Sequence, residues 1–237
     1  MEKKNMLYEG KAKKVYETED PEVLIVSYKD DATAFNGQKK GSITGKGVIN
    51  NRMSNMLMKV LEQKGVPTHY IEELNDRETA VKRVKILPLE VIVRNISAGS
   101  FAKRYGVEEG IVFEHPTVEF SYKNDDLGDP LLNDDHVLAL KLCDREELKT
   151  VRDYALKIND LLTEVWGRCG ITLVDFKVEF GWLADHTIVL ADEISPDTCR
   201  LWDSETGKKL DKDRFRRDLG DVEEAYTEVM GRLETIS

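Results

Sequence analysis

Leu173-Val174-Asp175-Phe176-Lys177-Val178-Glu179-Phe180-Gly181, a short turn, and Ile188-Val189-Leu190-Ala191-Asp192-Glu193-Ile194-Ser195-Pro196-Asp197 form the stretch whose reading decides the fold. Successive side chains of a strand point to opposite faces, so Asp175, Lys177 and Glu179 share one face. Val174, Phe176, Val178 and Phe180 share the other. The run from Ile188 to Ile194 reads as a second strand, and Gly181 to Thr187 is short enough to close a hairpin. Asp192 then lies near the far end of the partner, where the register decides whether it faces the same side as Glu179.

A hairpin with one solvated face is the ordinary meaning of such alternation. Three features point instead to a site. The polar face carries only acids and one lysine, with no Ser, Thr or Gln between them. The second strand is apolar until Asp192-Glu193, and a Ser-Pro-Asp turn and Arg200 follow at once. Carboxylates on adjacent strands suit Mg²⁺, which takes one or two carboxylates together with substrate phosphates. A lysine between them offsets charge or meets an anionic substrate.

At 237 residues the chain can bury a sizeable core, in one large domain or two small ones. Its net charge of −10, from 45 acids against 35 bases, argues against a nucleic-acid-binding surface. Small anionic ligands remain compatible, because their sites depend on local charge. Cys143, Cys169 and Cys199 show no metal-type spacing, and the four histidines are scattered, which fits a reduced compartment and no zinc site. The first six residues lack the apolar core of a secretory signal, and no apolar run is long enough to span a bilayer. A cytoplasmic protein with no membrane or nucleic-acid partner is expected.

Outward from the hairpin, the elements come in a mixed order. Leu7 to Tyr16 suggests two strand ends meeting at Gly10, and Lys11-Ala12-Lys13 beside that glycine could bring ammonium and backbone N–H groups to a polyphosphate. A solvated basic turn is the commoner meaning, and the Gly-Lys-Ser/Thr ending of a Walker loop is absent. Val23 to Tyr28 reads as a strand and Asp30 to Gly47 as a loop. From about Val48 a helix carries Ile49, Met53, Met56, Leu57, Val60 and Leu61 on one stripe, and Gly65 and Pro67 stop it. Residues 71–74 and 80–87 suggest further strands. Pro88 marks a boundary between a lobe of residues 1–87 and a domain of residues 88–237.

Leu89 to Arg94 reads as a strand leading into Ser97-Ala98-Gly99-Ser100, which feeds a short helix. That turn is either an anion site, with Arg94 beside it, or an ordinary N-cap supplied by Ser97 or Ser100. Val118 to Tyr122 reads as a strand, and residues 123–136 as a long acidic loop. Arg145 to Arg168 is the clearest helix, with Leu148, Val151, Ala155, Ile158, Leu162 and Val165 inward. A last helix from about Asp213 turns Phe215, Leu219, Val222, Tyr226, Val229 and Leu233 inward.

Four segments resemble one family, the phosphoribosylaminoimidazole-succinocarboxamide synthases, or SAICAR synthetases. They are Tyr8 to Lys13, Leu87 to Phe101, Leu173 to Gly181, and Ala191 to Asp197 with Arg200-Leu201-Trp202; with their spacings they span essentially the whole chain. Thr198-Cys199 stands where some bacterial members carry a Gly-Ser pair. The resemblance implies an α+β fold with a small N-terminal nucleotide-binding lobe and a larger α/β C-terminal domain, related in layout to ATP-grasp enzymes and kinases. It implies ligation of 5-amino-1-(5-phospho-ribosyl)imidazole-4-carboxylate (CAIR) to L-aspartate with ATP and Mg²⁺, giving SAICAR, ADP and phosphate. A homodimer is the expected assembly.

In the family's pattern Gly10, Lys11, Ala12 and Lys13 hold the ATP phosphates. Val15 and Leu24 sandwich adenine against the connector of Lys82, Val84 and Ile86. Glu179 and Asp192 carry the metal. Lys177 stabilises charge on the transferring group, and Asp175 contacts CAIR or a metal-bound water. Arg94, Ser100 and Arg200 hold the phosphoribosyl end. Lys123 to Asp129 and Ser195 to Asp197 flank the cleft as candidates for the aspartate subsite. Two other readings compete: an ATP-grasp ligase or small-molecule kinase with another acceptor, and a nucleotide-sensing module without catalysis. The sensing module does not need Asp175, Lys177, Glu179 and Asp192 together.

Overall fold

The structure is a computed structural model that describes residues 1–34 and 37–236. A first group of strands, β1 (Met6–Glu9), β2 (Lys13–Glu17) and β3 (Val23–Tyr28), precedes a ribbon of β4 (Asp31–Ala34) and β5 (Lys39–Ser42). Helix α1 (Lys46–Gln63) follows, then β6 (Tyr70–Asn75), β7 (Glu78–Lys82), β8 (Lys85–Ile86) and β9 (Leu89–Ile96). After α2 (Gly99–Tyr105) come β10 (Val112–Tyr122), a 3-10 turn at Asp125–Leu127, β11 (Leu131–Leu132), α3 (Asp134–Ala139) and α4 (Arg145–Arg168). The chain closes with β12 (Ile171–Trp182), β13 (Ile188–Ala191), β14 (Cys199–Asp203), α5 (Asp213–Arg216) and α6 (Val222–Glu234). This is the mixed α+β architecture expected.

Strands β1-β2-β3-β7-β6 form one antiparallel sheet. The second sheet runs β11-β10-β9-β12-β13, with β14 and β8 also paired to β12. Four strands therefore bond to β12. Both β9 and β14 pair at Asp175 and Phe176, and both β8 and β13 pair at Gly181 and Trp182, so both edges of β12 are occupied along much of its length. Having neighbours on both edges and layers on both faces, the strand buries Asp175 and Glu179 as well as Phe176 and Phe180. The two acids of that face are enclosed, while Lys177 between them stays partly exposed.

The strand at Val23 to Tyr28 and the helix at Arg145 to Arg168 appear as the sequence predicts; the hairpin forms too, but its second strand ends at Ala191 rather than Ile194, because Asp192 takes positive φ. Helix α4 opens on a reciprocal cap: Asp144 accepts from the Glu147 N–H and Glu147 accepts from the Asp144 N–H, both at 2.8 Å. Other expectations need correction. The loop expected from Asp30 to Gly47 contains the β4–β5 ribbon and the first turn of α1; its residues 35 and 36 lie outside the described residues. The acidic loop of residues 123–136 carries the 3-10 turn, β11 and the start of α3. The last helix is two helices, because Asp218, Gly220 and Asp221 all take positive φ, and Leu219 between them is exposed rather than inward. Neither Ser97 nor Ser100 caps α2. Its N-cap is Ala98, with no side-chain bond.

The largest apolar core gathers Met53, Leu57 and Leu61 of α1 with Leu148, Val151 and Leu162 of α4, Phe176 and Phe180 of β12, and Val229 and Leu233 of α6. Smaller clusters sit under the first sheet (Val26, Tyr28, Val81) and against the ribbon (Ala32, Ile43, Tyr226). Among the described residues no helix is long and apolar enough to cross a membrane. The shared core makes a testable demand. Leu57→Ala should cost about 2–5 kcal/mol in urea unfolding, and fluorescence and circular dichroism should give coincident transitions. Separate transitions would show that α1 does not belong to the same cooperative unit as α4 and β12.

Candidate active site

The face of β12 that carries Asp175, Lys177 and Glu179 meets the face of β9 that carries Glu90, Ile92 and Arg94. The register brings this about: Asp175 lies opposite Arg94 and Lys177 opposite Ile92. Arg94 is almost wholly buried. Its Nη1 donates to Asp175 Oδ2 at 2.7 Å, its Nε to Glu119 Oε1 at 2.8 Å, and its Nη2 to Ser100 Oγ at 3.0 Å. Arg200, opposite Asp175 on β14, gives Nη1 to the same carboxylate at 3.0 Å and Nε to Asp213 at 2.9 Å. Arg94, Ser100, Asp175 and Arg200, with Lys177, Asp197, Thr198 and Arg216, line a cavity of about 170 Å³.

Further along the strand the charges continue. Lys177 Nζ donates to Glu90 Oε1 at 2.6 Å and to Glu179 Oε1 at 3.2 Å, and Lys123 Nζ donates to Glu179 Oε1 at 2.9 Å. Asp192 follows β13 with φ +60 and pairs with Lys13, which also reaches Glu193 at 3.0 Å. Burial favours the uncharged Lys13 and Lys177, yet the carboxylates around them prevail and hold both ammonium groups above the ordinary lysine range. Burial likewise pushes the Asp192 carboxyl up, but Lys13 and Lys177 outweigh it and hold it at about 2. Glu179 and Asp192 thus join one cluster: Lys123 lies in the field of both.

Glu179 and Asp192 present only carboxylate oxygens, the donor chemistry a hard cation such as Mg²⁺ takes alongside phosphates. Among the described residues no group of three His, Cys, Asp or Glu side chains gathers for a metal, so any ion here draws its remaining ligands from substrate or water. The donor set fits that use.

The turn at Gly10 is tight: its N–H donates to the Lys13 carbonyl at 2.8 Å, and the Ala12 carbonyl accepts from Lys29. Lys11 is exposed and pairs with Asp125 at 3.0 Å, which joins this turn to the 123–129 loop. Val15 and Leu24 pack beside Val26 and Val81, while Val84 and Ile86 sit at Gly181 of β12. Lys82 turns away, donating to the Thr68 carbonyl at 2.9 Å. Asp129 closes its own loop by accepting from the Asn124 N–H. Ser195 donates to Glu193 at 2.7 Å. Asp197 accepts from three donors of the chain: Lys46 Nζ at 2.8 Å, Tyr226 Oη at 2.6 Å and Lys212 Nζ at 3.5 Å. Cys199 is buried, and that burial raises its thiol far above the ordinary range, which excludes a reactive thiolate.

Sequence reasoning missed Glu90, Glu119, Glu193, Lys46, Asp213 and Arg216. Glu90 had a signal, since Glu90 and Arg94 stand four apart on a strand and so share a face. Lys46 had none. It is wholly buried, and its partner is 151 residues away.

Two sheets meeting at a cluster of lysines and carboxylates, beside a cavity walled by arginines, define an enzyme that handles anionic substrates. Residues 6–233 match the family profile of SAICAR synthetase. The chain is 65% identical to the phosphoribosylaminoimidazole-succinocarboxamide synthase of Lachnoclostridium phytofermentans, over 98% of this chain and 99% of the relative, and 60% identical to that of Clostridium beijerinckii over the same shares. The crystal structure of the synthase from Ehrlichia chaffeensis superposes with a TM-score of 0.96 at 48% identity, covering 97% of this chain and 98% of that one. A SAICAR synthetase in complex with ADP superposes with a TM-score of 0.93 at 47% identity, over 95% and 96%. The chain belongs to the SAICAR synthetase family.

Lys13 offers a test with a worked sign. Asp192 is held at about 2 against an ordinary 3.8, so its share of stability is present above the ordinary value and lost as pH falls through 2. Removing Lys13 leaves buried acids unpaired, so Lys13→Met should cost about 3–5 kcal/mol at neutral pH. In urea melts the gap between variant and parent should narrow as pH falls below about 4. A gap of constant size down to acid pH would count against the pairing.

Proposed function

We infer that the chain performs the reaction for which its relatives are named: ATP-dependent ligation of CAIR to L-aspartate, yielding SAICAR, ADP and phosphate in purine (IMP) biosynthesis. One observation carries this reading. The lysine–carboxylate cluster of Lys13, Lys123, Lys177, Glu179 and Asp192 is continuous along β12 with the arginine-walled cavity at Arg94, Asp175 and Arg200. A phosphoryl donor and an anionic acceptor can therefore lie side by side on one strand.

The chemistry follows from the weakness of a carboxylate as an acyl donor, whose leaving group would be oxide. Transfer of the terminal phosphoryl group of ATP to a CAIR carboxylate oxygen forms an acyl phosphate and releases ADP. The α-amine of aspartate then attacks the carbonyl carbon. The carbon–oxygen bond breaks, the amide forms and loses a proton, and phosphate leaves carrying the former carboxylate oxygen. Such transfers depend chiefly on positioning and charge neutralisation. Lys13 and Lys11 oppose the polyphosphate, with Gly10 and Ala12 supplying the turn. Lys177 opposes charge on the transferring group. Glu179 and Asp192 would hold Mg²⁺, which when bound neutralises phosphoryl charge.

Val15, Leu24 and the connector of Lys82, Val84 and Ile86 form the adenine end, within a nucleotide lobe of residues 1–87; residues 88–237 form the catalytic and CAIR-binding domain. Arg94, Ser100 and Arg200 take the phosphoribosyl end, with Asp175 fixing both arginines. Lys123, Asp129, Ser195 and Asp197 are assigned to the aspartate end. The enzyme acts as a homodimer in the cytoplasm.

The reaction is tested with isotope. With oxygen-18 in the CAIR carboxylate, label should pass into released phosphate, and ADP should form in step with SAICAR only when both acceptors are present. Label kept wholly in SAICAR would falsify the acyl phosphate, and full-rate ADP release without aspartate would favour a kinase. Glu179→Ala should abolish turnover while circular dichroism stays unchanged. Retained turnover in that variant, with nucleotide affinity by titration calorimetry also unchanged, would remove Glu179 from the metal site.

A further inference from the structure

Gly99, the first residue of α2, has φ +51, and a Cβ built on it would lie 2.2 Å from Arg200 Nη2, 2.5 Å from Cζ and 2.9 Å from Nη1. The guanidinium occupies the space that a side chain at position 99 would need. It has no freedom to retreat, because Nη1 is bound to both oxygens of Asp175 (3.2 and 3.0 Å) and Nε to Asp213 Oδ2 (2.9 Å). Among the described residues no protein group accepts from Nη2, which leaves that nitrogen available to a ligand in the cavity that Arg200 lines.

Asp213 is itself buried, 1% exposed, and divides its carboxylate between two arginines of the cavity wall. Oδ2 accepts from Arg200 and Oδ1 accepts from Arg216 Nη1 at 2.7 Å. Its backbone N–H donates to the buried Asp211 at 2.7 Å, so the carboxylate cannot swing away with the chain. Two guanidinium groups share this one carboxylate, so Asp213 sets the orientation of both. A planar guanidinium recognises phosphate by aligned N–H groups, so its orientation matters as much as its charge.

We propose that Gly99 and Asp213 are positioning residues for Arg200: the glycine makes room for the guanidinium and the aspartate fixes its plane, so that Nη2 meets the phosphate monoester of the acceptor. This rests on the assignment of Arg200 to the phosphoribosyl end. Neither residue touches substrate. Both act through Arg200, one by shape and one by charge, and that shared route separates them from residues that merely support the fold.

The test is steady-state kinetics with all three substrates on Gly99→Ala, Asp213→Asn, Arg200→Ala and the double variant Gly99→Ala/Arg200→Ala. Gly99→Ala and Asp213→Asn should each raise KM for CAIR about tenfold or more, with KM for ATP and for aspartate within about twofold. Because both act through one guanidinium, the double variant should be no worse for CAIR than Arg200→Ala alone. Multiplied effects in the double variant, or unchanged KM for CAIR in Gly99→Ala, would overturn the positioning role. Unchanged KM for CAIR in Arg200→Ala would overturn the placement of Arg200, and the positioning role with it. Should Asp213→Asn fail to fold, Gly99→Ala and the double variant decide the matter, since they leave every charge of the Asp175–Arg200–Asp213 chain present or remove only Arg200.

Discussion

A charge taken out of water must be met by an opposite charge or it unfolds the protein that buries it. That constraint governs this molecule at β12. Its central position in the second sheet buries Asp175 and Glu179, and the chain has had to bring a cation to each from elsewhere. Arg94 arrives from β9, Arg200 from β14, Lys123 from the end of β10, and Lys177 from the same strand. Around Asp175 the result is an alternating chain of acid and base, from Glu119 through Arg94, Asp175 and Arg200 to Asp213 and Arg216. Each member is oriented by the one before it. Side chains held so firmly need little reorganisation when a substrate arrives, which is the property electrostatic catalysis requires.

Pairing of this kind also sets which substrates are welcome. The arginine wall and the lysine cluster are partly neutralised by their own acids, so a ligand must offer enough negative charge, in the right geometry, to compete for the same donors. Phosphates can. They carry more charge than a carboxylate and accept in several directions. The molecule's overall acidity, −10, is therefore no obstacle to binding anions. Local arrangement decides the matter, and Lys13, Lys123 and Lys177 gather around Glu179 and Asp192.

What could be read from the chain follows the range of the forces involved. Alternation at Asp175, Lys177 and Glu179 is a local pattern and was legible, whereas the capping pair Asp144–Glu147, equally local, was passed over. The strand that carries Arg94 was legible too, although Glu90 on the same face was passed over. The unforeseen part is long-range or hidden in the backbone. Nothing near Lys46 says that its ammonium will be wholly buried against Asp197 and that Tyr226 will share the same carboxylate. Likewise, Asp218 and Asp221 look like helix-compatible surface residues, yet their left-handed backbone divides the last helix in two. Asp197, which the motif suggests as a substrate contact, has both its oxygens engaged by the chain itself.

The position of α1 has a consequence for how the protein is made. Met53, Leu57 and Leu61 belong to the same core as Val229 and Leu233, so they wait for partners that are synthesised long after them. At about 5–20 residues per second, the apolar stripe of α1 leaves the ribosome roughly 10–30 s before α6 exists to cover it. The helix can form early, but it cannot be buried early. A nascent chain stalled before β12 would display that stripe to water and to its neighbours. Until α6 arrives, that stripe is apolar surface of the kind that chaperones cover.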